Sequence, residues 1–264
     1  MSQHTTTGQS DTDRSETKAP QESAPLGKNI KALLVWPQFP ESFWSFSRMF
    51  DLLPQVVLHP PLGLITVAAL CPNSWTLRLV DQNLELLLDS DIVCADIVMV
   101  GGMRVQSEAM RDVLRRARTL GKRTIVGGPY ASSEPEELLP LANHVVVGEP
   151  DETFGAIAAD LEGGSANRLY VIDQKPDISN IPIPRFDLLK LDKYLSMTVQ
   201  FSRGCPFQCE FCDIITIYGR RPRTKSDDQM LRSSTRSSTW AGTAGYLWWM
   251  TISSAITSAR SNWP

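Results

Sequence analysis

At 264 residues the chain has room for one large domain or two small ones, and its 42% hydrophobic and 21% charged residues are ordinary for a globular protein. A formal net charge of −3 gives no electrostatic case for nucleic acid or an anionic membrane surface. No apolar run reaches the ~18 residues of a membrane span, and the polar N-terminus lacks a signal core. Five cysteines, three of them clustered, suit a reducing compartment better than a disulfide framework, so a cytoplasmic protein is expected.

Residues 1–29 read as a disordered leader, rich in Ser, Thr, Gln, Asp and Glu, with Leu26 the first large aliphatic after Met1. From Lys31 the pattern changes. Ala32-Leu33-Leu34-Val35-Trp36 is a buried strand stopped by Pro37, and residues 62–70 suit a helix. Thr76 to Val80 is a second strand, ending at Asp81, and Asp96 to Val100 a third, ending at Gly101-Gly102. A helix over 105–120 carries Val105, Met110, Val113, Leu114, Ala117 and Leu120. Thr124-Ile125-Val126 is a fourth strand, closed by Gly127-Gly128-Pro129, and a short helix follows over 133–139. His144 to Val147 is a fifth strand, followed by Gly148-Glu149 and a helix near 151–162.

Strands alternating with helices imply a parallel sheet, and continuously apolar strands imply burial on both faces. Each strand ends in Gly, Pro or Asp, at the edge where open α/β sheets bind ligands. Residues 30–162 therefore read as a Rossmann-like or flavodoxin-like α/β ligand-binding domain. Bare glycine turns also occur in doubly wound sheets without such a ligand. Residues 163–197 read as a linker, stiffened by Ile181-Pro182-Ile183-Pro184, and Thr198 to Ser202 as a new strand.

That strand runs into Cys205-Pro206-Phe207-Gln208-Cys209-Glu210-Phe211-Cys212, a C-x3-C-x2-C spacing with an aromatic before the last cysteine. Thiolates are the soft ligands of iron–sulfur clusters, and three on one loop leave an iron of a four-iron cluster open. A structural zinc site is the alternative, but zinc takes four protein ligands and no second cysteine pair exists. Cys71 and Cys94 are isolated and read as core residues, and His4, His59 and His144 lie far off in sequence.

The cysteine motif after a strand is similar to the radical S-adenosylmethionine (SAM) signature. The domain before it resembles the cobalamin-binding domain of class B, cobalamin-dependent radical SAM proteins, in a subgroup of hopanoid C-2 methylase-like proteins. The resemblance covers about residues 30–231 and rests on Val35 to Pro40, Pro60 to Leu64, Gly127-Gly128-Pro129, Ser202 to Ile214 and Gly219 to Ser226. It implies that 198–231 opens a radical SAM (β/α) barrel, incomplete in this chain. By the same resemblance Cys205, Cys209 and Cys212 ligate a four-iron four-sulfur cluster, and Phe211 packs near the SAM adenine. Gly101-Gly102, Gly127-Gly128-Pro129 and Gly148-Glu149 line the corrinoid. The D-x-H-x-x-G motif that supplies a cobalt-ligating histidine elsewhere is absent, with Asp81-Gln82-Asn83 in its place, so no histidine is expected below the metal. The implied reaction splits SAM to a 5′-deoxyadenosyl radical, abstracts hydrogen from an unactivated carbon, and passes a methyl group from methylcobalamin. Its implied partners are a small-molecule or lipid-like substrate and an electron donor such as flavodoxin or ferredoxin. A cobalamin-binding module without catalysis is the alternative function.

Arg220, Arg221, Arg223 and Lys225 form a basic run that reads as a solvated loop or as a contact for an anionic group. Trp36, Phe43, Trp44 and Phe46 suit a cofactor shield or core packing. Beyond Asp228 no Asp, Glu or Lys follows, and 232–264 has no clean period. Read one base back, Trp248-Trp249-Met250-Thr251 forces Val-Asp-Asp, and Ser233 through Gly242 permits an amphipathic helix. Residues 232–264 are thus expected to be an out-of-frame tail, and this chain, lacking most of a barrel, to be inactive by itself.

Overall fold

The computed structural model describes residues 24–42, 53, 55–241 and 249–250, with only the backbone described for 236–241 and 249–250. Phe43, Trp44 and Phe46, residues 1–23 of the expected leader, and 251–264 lie outside the described residues.

The chain alternates as the apolar runs require. Strand β1 (Lys31–Trp36) precedes helix α1 (Leu62–Leu70), β2 (Thr76–Asp81), α2 (Asp89–Cys94), β3 (Ile97–Gly101) and α3 (Ser107–Thr119). Then come β4 (Arg123–Gly127), two short helices α4 (Pro129–Ser133) and α5 (Pro135–Leu138), β5 (His144–Gly148), α6 (Phe154–Gly163) and β6 (Leu169–Ile172). Among the described residues these six strands pair in parallel in the order β2-β1-β3-β4-β5-β6. The order reverses between β1 and β3, which places a crevice at their C-terminal ends.

Alternation along the strands supplies both faces. Leu33, Val35, Val98, Val100, Val126 and Val145 pack on Met110, Val113, Leu114 and Ala117 of α3. Leu34, Ile97, Met99, Ile125 and Val146 pack on Leu64 and Ala68 of α1 and on Phe154, Ile157, Ala158 and Leu161 of α6. Each large side chain so buried contributes about 1.5–3 kcal/mol.

The strand and helix positions expected from sequence hold in the main, with corrections. The predicted helix over 133–139 divides into α4 and α5, because Pro129 and Pro135 each open a new first turn. The predicted linker contributes β6, whose Leu169 and Val171 face outward. A four-residue edge strand joins mainly through backbone bonds and carries little apolar signal. The linker further on is packed, with Phe186, Leu189, Tyr194 and Met197 gathered on Ile65 of α1. Cys94 is exposed rather than a core residue, and Cys71 is half-buried, its Sγ donating to Val67 O. Leu26 and Gly27 donate their N–H groups to Leu161 O and Glu162 O, so the last residues of the expected leader lie against α6.

Beyond the linker, β7 (Thr198–Val199) pairs in parallel with β10 (Trp249–Met250), and β8 (Ser202–Arg203) pairs antiparallel with β9 (Arg223–Thr224). The predicted strand over 198–202 is thus broken at Gln200-Phe201. Helix α7 (Ile214–Tyr218) lies between β8 and β9, and α8 (Asp227–Ala241) runs through position 232.

Buried His144 bonds through Nδ1 to Asn167 O at 2.8 Å, while its Nε2 has no partner among the described residues. Because the acceptor is a carbonyl, Nδ1 carries the proton, and the burial of an unpartnered Nε2 favours the neutral ring. Burial pushes its pKa down, against the Asn167 bond. Since the unfolded imidazole charges near pH ~6.5, the stability tied to a neutral His144 is complete above that pH and lost as pH falls through the lower folded value. The thermal midpoint is therefore expected to drop between about pH 7 and pH 5, and to drop less in His144→Gln.

Candidate functional site

A cleft of about 350 Å³ opens at the C-terminal edge of the sheet. Its walls include Gly101, Gly102, Gly127, Gly128, Pro129, Gly148 and Glu149, so all seven loop positions expected to line a corrinoid meet in one place. Trp36, Met99, Ile125 and Val146 supply an apolar floor, and Leu62 to Leu64 of α1 close one side. The opposite wall comes from the segment that carries the cysteines, through Thr198, Gln200, Arg203 and Tyr218.

Glycine is required at two of these positions. Gly128 has φ +92°, a backbone conformation that L side chains rarely adopt, although a Cβ there would meet the Gly102 backbone only at an ordinary contact of 3.4 Å. Gly148 has φ +94°, and a Cβ would overlap Ile172 O of β6. Gly148→Ala combines left-handed strain with that overlap, so it is expected to cost about 2–4 kcal/mol, read as a shift of the urea midpoint.

Carboxylates project from the loop after β5 because Gly148 turns the chain there. Glu149, 2% exposed at its side chain, accepts from Arg203 Nη1 at 2.8 Å and from Arg223 Nη2 at 2.6 Å. Asp151 accepts from Arg203 Nη1 at 2.5 Å and Nη2 at 3.2 Å. Arg203 Nε donates to Gln200 Oε1, and Arg223 donates to Pro176 O and Tyr218 O. The basic run is therefore not one solvated loop. Arg223 and Lys225 turn inward, while Arg220 and Arg221 stay exposed beside a shallow hollow of about 620 Å³ that also touches Lys175 and Gly219. Burial, then the charge of Arg203, lower the Lys225 pKa.

Asp81, where a histidine-bearing motif would begin, is buried and serves the fold. It accepts from Asn83 N at 2.9 Å, Asn83 Nδ2 at 2.7 Å and Tyr194 OH at 2.9 Å. Burial pushes its carboxyl pKa up against those bonds, and burial with the Asp81 charge raises Tyr194. Asn83 Oδ1 accepts from Phe39 N, and Gln106 Nε2 donates to Pro37 O, which ties down the turn after β1. No histidine lines the cleft among the described residues.

Cys205, Cys209 and Cys212 all lie on the turn between β8 and α7. Cys205 N–H donates to Gly219 O at 3.1 Å, and Gly204, at φ +91°, lies so close to Arg221 O that a Cβ would stand 2.5 Å from it. The thiols are free, with Cys205 and Cys212 half-buried and Cys209 exposed. As a donor set they fit an iron–sulfur cluster. Among the described residues no three His, Cys, Asp or Glu side chains converge as around a metal ion, so the thiols share a loop without sharing a point. Phe211 is 92% exposed and does not reach the cleft. The cleft fits a flat macrocycle better, since six glycines leave much of its wall as bare backbone.

Sequence reasoning missed Asp151, Arg203 and Tyr218. Arg203 carried a signal, as the one charged residue from Thr198 to Cys205, directly before a glycine and the first cysteine of the C-x3-C-x2-C motif.

No protein-family model matches the chain. An uncharacterized methyltransferase of Synechocystis sp. is 46% identical over 204 residues, 77% of this chain and 38% of that protein. The hopanoid C-2 methylase of Rhodopseudomonas palustris is 34% identical over 206 residues, 76% of this chain and 39% of its own length. The chain belongs to the cobalamin-binding radical SAM methylase family. The radical SAM methyltransferase TsrM of Kitasatospora setae, a structure holding cobalamin and a [4Fe-4S] cluster, shares the fold at a TM-score of 0.54 and 12% identity, over 79% of this chain and 45% of that one. This radical SAM chain spans about two fifths of the curated relatives' length, and their matches have about the length of the segment 30–231. No described helix is long and apolar enough to cross a membrane.

Proposed function

We propose that residues 30–231 are the cofactor-holding part of a methylase, with a corrinoid in the glycine-lined cleft and a four-iron four-sulfur cluster with SAM on Cys205, Cys209 and Cys212. The observation that carries this reading is the meeting of three glycine loops with the cysteine-bearing segment around one cleft. When bound, these groups supply a hydrogen-abstracting radical and a methyl donor, the chemistry a side chain cannot provide. The chain's own residues orient and shield. Trp36, set edge-on to Phe39 at 6.0 Å, and Met99 keep the cleft apolar and exclude water, while Glu149 and Asp151 hold the opposite wall in place.

Methyl transfer to carbon is supported by relatives named as hopanoid C-2 methylase and, in Chlorobaculum tepidum, bacteriochlorophyllide d C-8(2)-methyltransferase, the latter 28% identical over 185 residues. A small-molecule or lipid-like substrate fits that reading, as does an electron donor such as flavodoxin or ferredoxin in a reducing, cytoplasmic setting. Arg220 and Arg221, at the rim of the hollow beside Gly219, are placed to meet an anionic group of SAM or substrate. Phe211, so exposed, is free to cover an adenine once the loop closes on its ligand.

Titration of the full chain with cyanocobalamin tests the cleft. Saturable one-to-one binding that is lost in Gly128→Leu supports it, and no binding refutes it. Binding with no iron uptake would leave a corrinoid-binding module without catalysis, a reading favoured by the complete two-faced core of β1 to β6. Residues 1–264 alone are expected not to cleave SAM, because among the described residues β7 to β10 form only two two-stranded sheets and enclose no barrel interior. The out-of-frame origin of 232–264 is part of this proposal, and resequencing the gene beyond the codon for Leu231 decides it.

A further inference from the structure

The cleft and the cysteine turn are joined by four largely buried charges. Glu149 and Asp151 are 2% and 6% exposed at their side chains, and Arg203 and Arg223 are 10% and 15% exposed. Two anions face two cations, so the group is neutral as a whole, but each member is costly to leave alone in such a place. The carboxylates belong to the loop that lines the cleft, and the guanidinium groups belong to β8 and β9.

Arg203 occupies the decisive position. Its side chain touches Glu149, Asp151 and Gln200, all of which line the cleft. Its backbone pairs with Arg223 and runs directly into Gly204 and Cys205. Gly204, at φ +91°, leaves no room for a side chain against Arg221 O, and the Cys205 amide is tied to Gly219 O, so the short backbone between the Arg203 guanidinium and the first cysteine is packed on one side and hydrogen-bonded on the other.

We infer that Arg203 is a positioning residue through which filling of the cleft and ordering of the cysteine turn are linked. This rests on the corrinoid reading of the cleft. A ligand that fixes the loop after β5 fixes both carboxylates, and these hold both arginines and the start of the cysteine turn. By reciprocity, anything that orders the turn tightens binding in the cleft by the same factor. Lysine cannot substitute fully, since one ammonium cannot match a fork that reaches Glu149, Asp151 and Gln200 together.

The test uses the full chain and cyanocobalamin, with the rate of alkylation of each cysteine by N-ethylmaleimide followed by peptide mass. Exposed Cys94, on the far side of the sequence from the turn, is the internal reference. Saturating cyanocobalamin is expected to slow Cys205 at least threefold relative to Cys94. Each variant is compared at its own saturation. In Arg203→Met the slowing is expected to vanish, and Arg203→Lys is expected to recover part of it, a graded response that mere loosening of the fold would not give. Should Arg203→Met fail to fold, Asp151→Asn, which weakens two of its contacts, serves the same comparison. Cyanocobalamin binding without any change at Cys205, or with equal slowing in wild type and variant, overturns the linkage and leaves the cleft reading standing. Absence of binding to the wild-type chain overturns both.

Discussion

Replacing any one of Cys205, Cys209 or Cys212 by serine is expected to abolish the thiolate-to-iron absorbance that anaerobic reconstitution with iron and sulfide produces in the unaltered chain. The effect is close to all or none, because a site-differentiated cluster has three protein thiolates and a serine hydroxyl is a harder, far less acidic ligand. Cys94→Ser is the matched control, since Cys94 is exposed on α2 and lies outside the turn. Cys71→Ser is also expected to keep the absorbance. Burial pushes the Cys71 thiol to about 12, so it stays protonated and non-ligating. Retained absorbance in Cys209→Ser would refute the assignment, and binding of zinc but not iron by the unaltered chain would move it to a structural metal site.

Glu149→Gln is expected to lower the unfolding free energy by about 3 kcal/mol, the lower end of what breaking a buried pair costs. Glutamine keeps an oxygen that accepts from the arginines, yet Arg223 then has no carboxylate partner among the described residues, whereas Arg203 retains Asp151. Urea denaturation with an unchanged slope reads the loss directly. Pairing the change with Arg223→Met is expected to recover a large part of it, because removing both members of a buried pair is far cheaper than removing one. Full additivity of the two changes would show that they do not act on one network.

Much of the sheet was legible because its strands are continuous apolar runs with Gly, Pro or Asp at their ends. The ligand edge was legible for the same reason, and each of the seven loop positions lines the cleft. The less legible parts depend on neighbours distant in the chain. Leu169 to Ile172 becomes a strand only because β5 offers it an edge, and Arg223 becomes buried only because Glu149, distant in sequence, is turned toward it by Gly148. A basic run reads as solvated until its counter-charges are known. The loss of pattern in Cys94 is of another kind, since a short helix like α2 exposes one side whatever its composition.

The placement of β6 also governs where this protein can be divided. Its backbone caps Val145 to Gly148, and Arg168 O receives the Val145 N–H at 2.9 Å. A polypeptide stopped near residue 165 would bare that row of donors and acceptors on an apolar strand, an open template for another copy to extend. Such a piece is expected to self-associate, whereas one carried past Ile172 keeps its own cover and remains apart from its neighbours.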